Sequence, residues 1–132
     1  MTRVSLTLAL LVLAAGCHKA QSDADAQLQR VSDAFNKADL HNEGFAPSDA
    51  AAFHAQKCLA GKLEGVDAVI CEYGSLDAVA LGKKAGEAWA ANAATASVLS
   101  NDRVLLAVAD RAHVDPNGKA IHKITKAFSH LK

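Results

Sequence analysis

The sequence carries no surplus of either charge: 14 lysines and arginines stand against 14 aspartates and glutamates over 132 residues. Without a basic excess there is no field to gather a nucleic acid or another acidic polymer. Aromatic residues are scarce, at 5%, while alanine recurs throughout, a balance that favours helices over a β-sandwich. No segment repeats at solenoid periods. Cysteine occurs three times, at 17, 58 and 71, and never as Cys-x-x-Cys; no His-x-x-x-His occurs either. The ligand spacings of zinc ribbons and iron–sulfur clusters are therefore missing. At this length one domain is the expectation.

What is present starts at the N-terminus. Arg3 supplies a short basic segment, and Val4 to Leu13 is an apolar run broken only by Ser5 and Thr7. The run is too short to anchor as a bilayer-spanning helix but suits the apolar region of a signal peptide. Leu13-Ala14-Ala15-Gly16-Cys17 follows directly. Small residues ahead of a cysteine at this place resemble the bacterial lipobox, departing from it at Ala14, where leucine is commoner. The resemblance covers residues 1–17. It implies diacylglycerol on the Cys17 thiol, cleavage after Gly16 and acylation of the new amino group, so that lipid chains hold the protein to a membrane. His18 rather than aspartate follows Cys17, which favours the periplasmic face of the outer membrane if the envelope has one. The expected organisation is a signal peptide over 1–16, a lipidated cysteine and polar tether over 17–23, and a single α+β domain over 24–132. Removing Arg3 with the signal leaves 13 bases against 14 acids.

Within the domain, Leu28, Val31, Phe35 and Ala38 form a helical stripe over residues 24–39. Residues 41–47 read as a loop with Asn42, Gly44 and Pro47, and Ser48 is placed to cap a second short helix running to about Lys57. Gly61 and Gly65 mark a turn region. Val66 to Tyr73 is short and mostly apolar, with β-branched residues, a buried strand. A helix follows from Leu76 to Ala90, with Ala78, Leu81, Gly82, Ala85, Gly86 and Trp89 on the inner face; its alanines and glycines predict close approach to a sheet. Thr95–Leu99 and Arg103–Ala109 read as a hairpin turned at Ser100-Asn101-Asp102. Asp115 as N-cap and Pro116 at the first position open the last helix, whose stripe is Ile121, Ile124, Phe128 and Leu131. The order α-α-β-α-β-β-α predicts a two-layer α+β fold: a small three-stranded antiparallel sheet, order 1-3-2, with helices packed on one face. In topology this resembles a ferredoxin-like unit without its last strand.

With Cys17 taken by lipid, Cys58 and Cys71 remain in an exported domain, and the pair reads as one disulfide tying the second helix to the first strand. Twelve intervening residues argue against a redox dithiol. Other constellations are incomplete. Gly74-Ser75 sits where a nucleophile elbow would place its serine, but Tyr73 and Asp77 occupy the positions that need glycine, so Ser75 reads as a helix cap. Asp39 to Gly44 resembles the start of a calcium loop, yet Ala50 stands where the bidentate glutamate is required. His41, His54 and Cys58 form a candidate soft-metal set for which the disulfide competes. Asp110-Arg111 near Asp115 reads as a structural ion pair.

The last helix carries Lys119, His122, Lys123, Lys126 and His130 on one face, and no acid occurs from Pro116 to Lys132, whereas residues 20–49 hold six acids against Arg30 and Lys37. That basic surface could meet anionic lipid or wall polymer, pair with the first helices, or stand solvated. The segments Val69–Tyr73, Leu105–Arg111 and Asp115–Lys119 bear a likeness to small uncharacterised myxobacterial lipoproteins, a likeness that implies no activity. The expectation is a lipid-anchored, non-enzymatic envelope lipoprotein with an interaction or accessory domain, needing no cofactor and no metal. Its partners would be the membrane through Cys17 and a protein or anionic envelope component, not nucleic acid. The alternative is a small-molecule or metal-ion binding module of the cell envelope.

Overall fold

A computed structural model describes residues 17–132, with side chains from residue 23 onward; the expected signal peptide lies outside the described residues. The chain forms helix α1 (Cys17–Lys37), strand β1 (Asn42–Ser48), a single 3-10 turn (Ala51–Phe53), strands β2 (Lys57–Leu63) and β3 (Val66–Glu72), helix α2 (Leu76–Ala90), strands β4 (Thr95–Asn101) and β5 (Val104–Asp110), and helix α3 (Lys119–Ser129). Within the described residues, α1 takes in residues 17–23.

All strands join one antiparallel sheet in the order β1-β2-β3-β5-β4. The expected three-stranded sheet is therefore wrong in size, and the expected element order is wrong with it. The second helix expected from Ser48 to about Lys57 is only the 3-10 turn. Asp49 accepts hydrogen bonds from the backbone N–H groups of Ala51 and Ala52 (3.0 and 3.3 Å) and starts that turn, but His54 adopts φ +54° and ends it. The chain then enters β2. The segment read as a loop, residues 41–47, is mostly edge strand β1. It tolerates Pro47 because an edge strand needs no donor on its outer side, and Gly44 at φ +96° accommodates the register shift between Asn42 and Phe45. Glu64 and Gly65, both with positive φ, turn β2 back onto β3.

The helices occupy both faces, not one. Leu28, Val31 and Phe35 of α1 and Ile121, Ile124 and Phe128 of α3 pack with Leu63, Val66, Ala68, Ile70, Leu106 and Val108. Alternate residues point the other way: Cys58, Val69, Cys71, Tyr73 and Leu105 pack with Phe53 of the 3-10 turn and Val79 of α2. Every residue of β5 is buried. The likeness to a truncated ferredoxin-like unit fails with the one-faced arrangement.

Helix α2 lies close to the sheet, as its small residues predict. A β-carbon on Gly82 would run into the Tyr73 ring and hydroxyl, and one on Gly86 would meet Val98 at 3.0 Å. Tyr73, fully buried, donates its hydroxyl hydrogen to the carbonyl of Phe53 (2.9 Å), and burial pushes its pKa up to about 12. Leu81, expected on the inner face, is instead 53% exposed; Val79 and Ala90 are buried in its stead.

Cys58 and Cys71 are disulfide-bonded. They stand directly opposite each other on β2 and β3, with Cα atoms 4.1 Å apart. The bond thus staples two paired strands rather than a helix to a strand. Replacing both cysteines with serine should destabilise the domain by about 3 kcal/mol on the chain-entropy account, read as a lower urea midpoint; an unchanged midpoint would contradict it. Gly82→Ala should cost about 1–3 kcal/mol through overpacking against Tyr73, whereas Ala80→Gly on the exposed face of α2 should cost no more than about 1 kcal/mol. Equal losses for the two would show that the seam is not tight.

Candidate functional site

The α2 face of the sheet is incompletely covered. Helix α2 packs over β4, β5 and the 3-10 turn, which leaves part of β1 and β2 open. A cleft of about 410 Å³ lies there, with Ala60 and Val69 on the sheet, Phe53 and Trp89 from the elements beside it, and Asp67 and Arg111 among its lining residues. The Arg111 guanidinium sits 4.3 Å from the centroid of the Trp89 ring. It donates to Asp67 at 3.1 Å and to the Trp89 carbonyl. Lys62 donates to the other oxygen of Asp67 at 2.8 Å. Burial raises the Asp67 pKa, but the hydrogen bonds from Lys62 and Arg111 outweigh it and hold the carboxyl below its ordinary value. The same Asp67 hydrogen bond raises Lys62. Asp67 and Arg111 thus satisfy one another, while Ser48 and Asp49 also line the cleft, the Asp49 carboxylate being engaged by the Ala51 and Ala52 N–H groups.

Two further polar places lie at the strand ends. Asp110, fully buried, accepts hydrogen bonds from the backbone N–H groups of Val114 (3.0 Å) and Asp115 (2.8 Å). Burial pushes its pKa up, yet those donors prevail and hold it below the ordinary carboxylate range. Asp115 in turn accepts from Ala120 and Ile121, both at 3.0 Å. It caps α3 from outside, since the helix starts at Lys119 after Gly118 at φ +67°, and not at Pro116 as expected. At the opposite end of the sheet Glu72 is 2% exposed, and its Oε2 has no hydrogen-bond partner. Burial raises its pKa; the charge of Arg103 opposes the rise and that of Asp23 adds to it.

The other sequence-predicted residues scatter. Cys17 lies in α1. Ser75 caps α2, accepting from Ala78 at 3.2 Å. Asn42 and Gly44 of the supposed calcium loop belong to β1, where Asn42 accepts from the Gly44 N–H at 2.8 Å. His41 is exposed beside Glu43 (3.8 Å), His54 ends the 3-10 turn, and Cys58 is in the disulfide. Among the described residues no group of three His, Cys, Asp or Glu side chains could hold a metal. Arg111 pairs with Asp67, so the expected Asp110–Arg111 ion pair is corrected. On α3, Lys119, His122, Lys126 and His130 are exposed, while Lys123 is drawn to Glu64 (3.1 Å) and the Asp39 carbonyl (3.1 Å). Glu64 is held below its ordinary pKa by the backbone N–H of His41 and by Lys123.

The cleft cluster escaped sequence reasoning because β2 did. Lys62 and Asp67 flank the Leu63-Glu64-Gly65-Val66 turn in direct register, so a Glu-Gly turn flanked by opposite charges was the available signal. No family model, no curated protein and no solved structure matches this chain.

The two buried carboxylates predict opposite responses to pH. Glu72 has a raised folded pKa, so its contribution is most favourable below the unfolded value near ~4.3 and is lost as pH rises through the folded value. Asp110 is depressed, so its contribution is present above the unfolded value near ~3.9 and is lost as pH falls through the folded one. Glu72→Gln should therefore raise the melting temperature at pH 7 and lose that advantage near pH 4, whereas Asp110→Asn should lower it at pH 7. A destabilised Glu72→Gln at pH 7 would overturn the assignment.

Proposed function

We propose that this chain is a lipid-anchored envelope lipoprotein whose folded domain serves interaction rather than catalysis. The observation that carries the reading is the lipobox-like Leu13–Cys17 at the end of the apolar run. Ala24 already lies in the core, so an anchor on Cys17 would hold the domain close to its membrane, on the periplasmic face of the outer membrane where one exists. The interaction role is supported by the state of the polar groups: Arg111 and Asp67 in the cleft are paired with each other, while Lys119, His122, Lys126 and His130 are exposed. A protein or an anionic envelope component is the partner class such a surface suits.

Labelled palmitate should enter the wild type and not Cys17→Ser, with the label following the membrane fraction. Equal labelling of both would end the anchoring proposal.

A small-molecule module is the second reading, and the cleft beside Trp89 favours it, since about 410 Å³ is within the range of ligand pockets. Trp89 is the sole tryptophan, so its emission reports on that cleft. A saturable change in emission on adding a small solute, lost in Arg111→Ala, would favour this reading over the first.

A further inference from the structure

The two edges of the sheet are guarded unequally. Edge β1 carries Glu43, Gly44 and Pro47 and a register shift, devices that discourage strand addition. Edge β4 has none of these. Its sequence, Thr-Ala-Ser-Val-Leu-Ser-Asn, contains no charge, no proline and no glycine, and it pairs with β5 in unbroken register from Thr95 to Asn101. The two-residue turn after Asn101 makes Asn101 and Val104 a hydrogen-bonded pair. By alternation the N–H and C=O groups of Ala96, Val98 and Ser100 then point away from β5, with no strand beyond them in the sheet order.

We infer that β4 is the seat of a homodimer, in which β4 pairs antiparallel with β4 of a second copy about a two-fold axis at Val98. The sequence is complementary to itself in that register. Val98 meets Val98, Ala96 meets Ser100 and Thr95 meets Asn101, so no like charges oppose one another. The outward-pointing residues are the ones that this register makes hydrogen-bonded pairs, which is a geometric requirement and not a free choice. Beside the edge, Glu87 and Ala90 of α2 and Ala91 after it, with Ala96, Ser97 and Val98, line a groove of about 280 Å³ that is apolar except at Glu87 and Ser97. There the second copy's Val98 and its neighbours find apolar contact. An axis through the edge, perpendicular to the sheet, keeps α1 and α3 of both copies on one side. Two anchors and two basic helices then face the same leaflet; this last point alone rests on the proposed lipidation.

Sedimentation of the purified full chain in density-matched detergent should give a dimer. Ala96→Lys with Ser100→Lys opposes lysines across the axis and should weaken association roughly tenfold or more. Ala96→Lys with Ser100→Glu opposes unlike charges and should keep the dimer. Val98→Cys should form an intermolecular disulfide on mild oxidation, and Ala46→Cys on β1 should not. A wild type that stays monomeric at the highest concentration reached overturns the inference, as do two charge variants that associate equally. Palmitate labelling is independent of these readings, so failure of the dimer and failure of the anchor are told apart.

Discussion

The pairing of β3 with β5 at the centre of the sheet is the constraint from which the rest of the structure follows. β5 is buried along its whole length and β3 nearly so. A strand pair that is apolar on both faces cannot rest on one layer of helices; water has to be excluded from each side. Helices α1 and α3 close one face and α2 closes the other. The first polar side chains appear at the strand ends, Glu72 on β3 and Asp110 on β5, where the chain leaves the layer between the helices. The disulfide extends the same logic outward: it fixes β2 to β3 at Cys58 and Cys71, and so holds the less apolar half of the sheet to the apolar half.

This constraint was written in the sequence more plainly than the one-faced reading allowed. Ala68–Cys71 and Val104–Ala109 are continuous apolar runs without the alternation that a half-solvated antiparallel sheet shows. Two covered faces are the direct consequence. Helix α2 was legible from Ser75 to Ala90 because its cap and its Ala/Gly seam act locally. β1 and β2 were not legible. Asn42 to Ser48 contains a glycine and a proline, and Ala50-Ala51-Ala52 prefers helix on its own; only pairing with β3, including the bond to Cys71, makes strands of the sequence around them. Tertiary pairing overrides local preference there. The cleft, which needs Lys62 and Asp67 in register, went unseen for the same reason.

The carboxylates show how little burial alone decides. Asp110 and Glu72 are both sealed from solvent, yet their ionisation is displaced in opposite directions. Asp110 meets two backbone N–H groups in the turn that leads to α3, and that turn exists partly because the carboxylate gathers it. Glu72 meets no donor at Oε2, and the nearby Asp23 opposes its charge. Asp67 is a third case, in which two cations outweigh desolvation. A buried acid is a structural anchor where donors are supplied to the charged form and a liability where they are not. Asp110 and Asp67 therefore belong to the fold's support, and Glu72 is a locus of its pH sensitivity.

The position of α2 links the cleft to the open edge. The chain leaves β3, crosses as α2 and returns as β4 on the far side of β5. That crossover must span β5, so α2 comes to lie over β4 and β5 and away from β1 and β2. Its glycines let it settle against Tyr73 and Val98, which fixes it there. The uncovered part of β1 and β2 then becomes the cleft beside Trp89, which is partly filled by Phe53 and closed electrostatically by Arg111 and Asp67. At the other edge α2 covers one face of β4 and α3 the other, and the outward backbone of β4 keeps its hydrogen-bonding capacity. The edge with less helical cover, where Phe45 alone stacks on Phe35 of α1, is the one that carries proline, glycine and charge; the edge flanked by α2 and α3 carries none. A strand that stays unguarded where its flanks are already packed is built to be continued, and this is the physical basis for placing the interaction surface at β4 and not in the cleft.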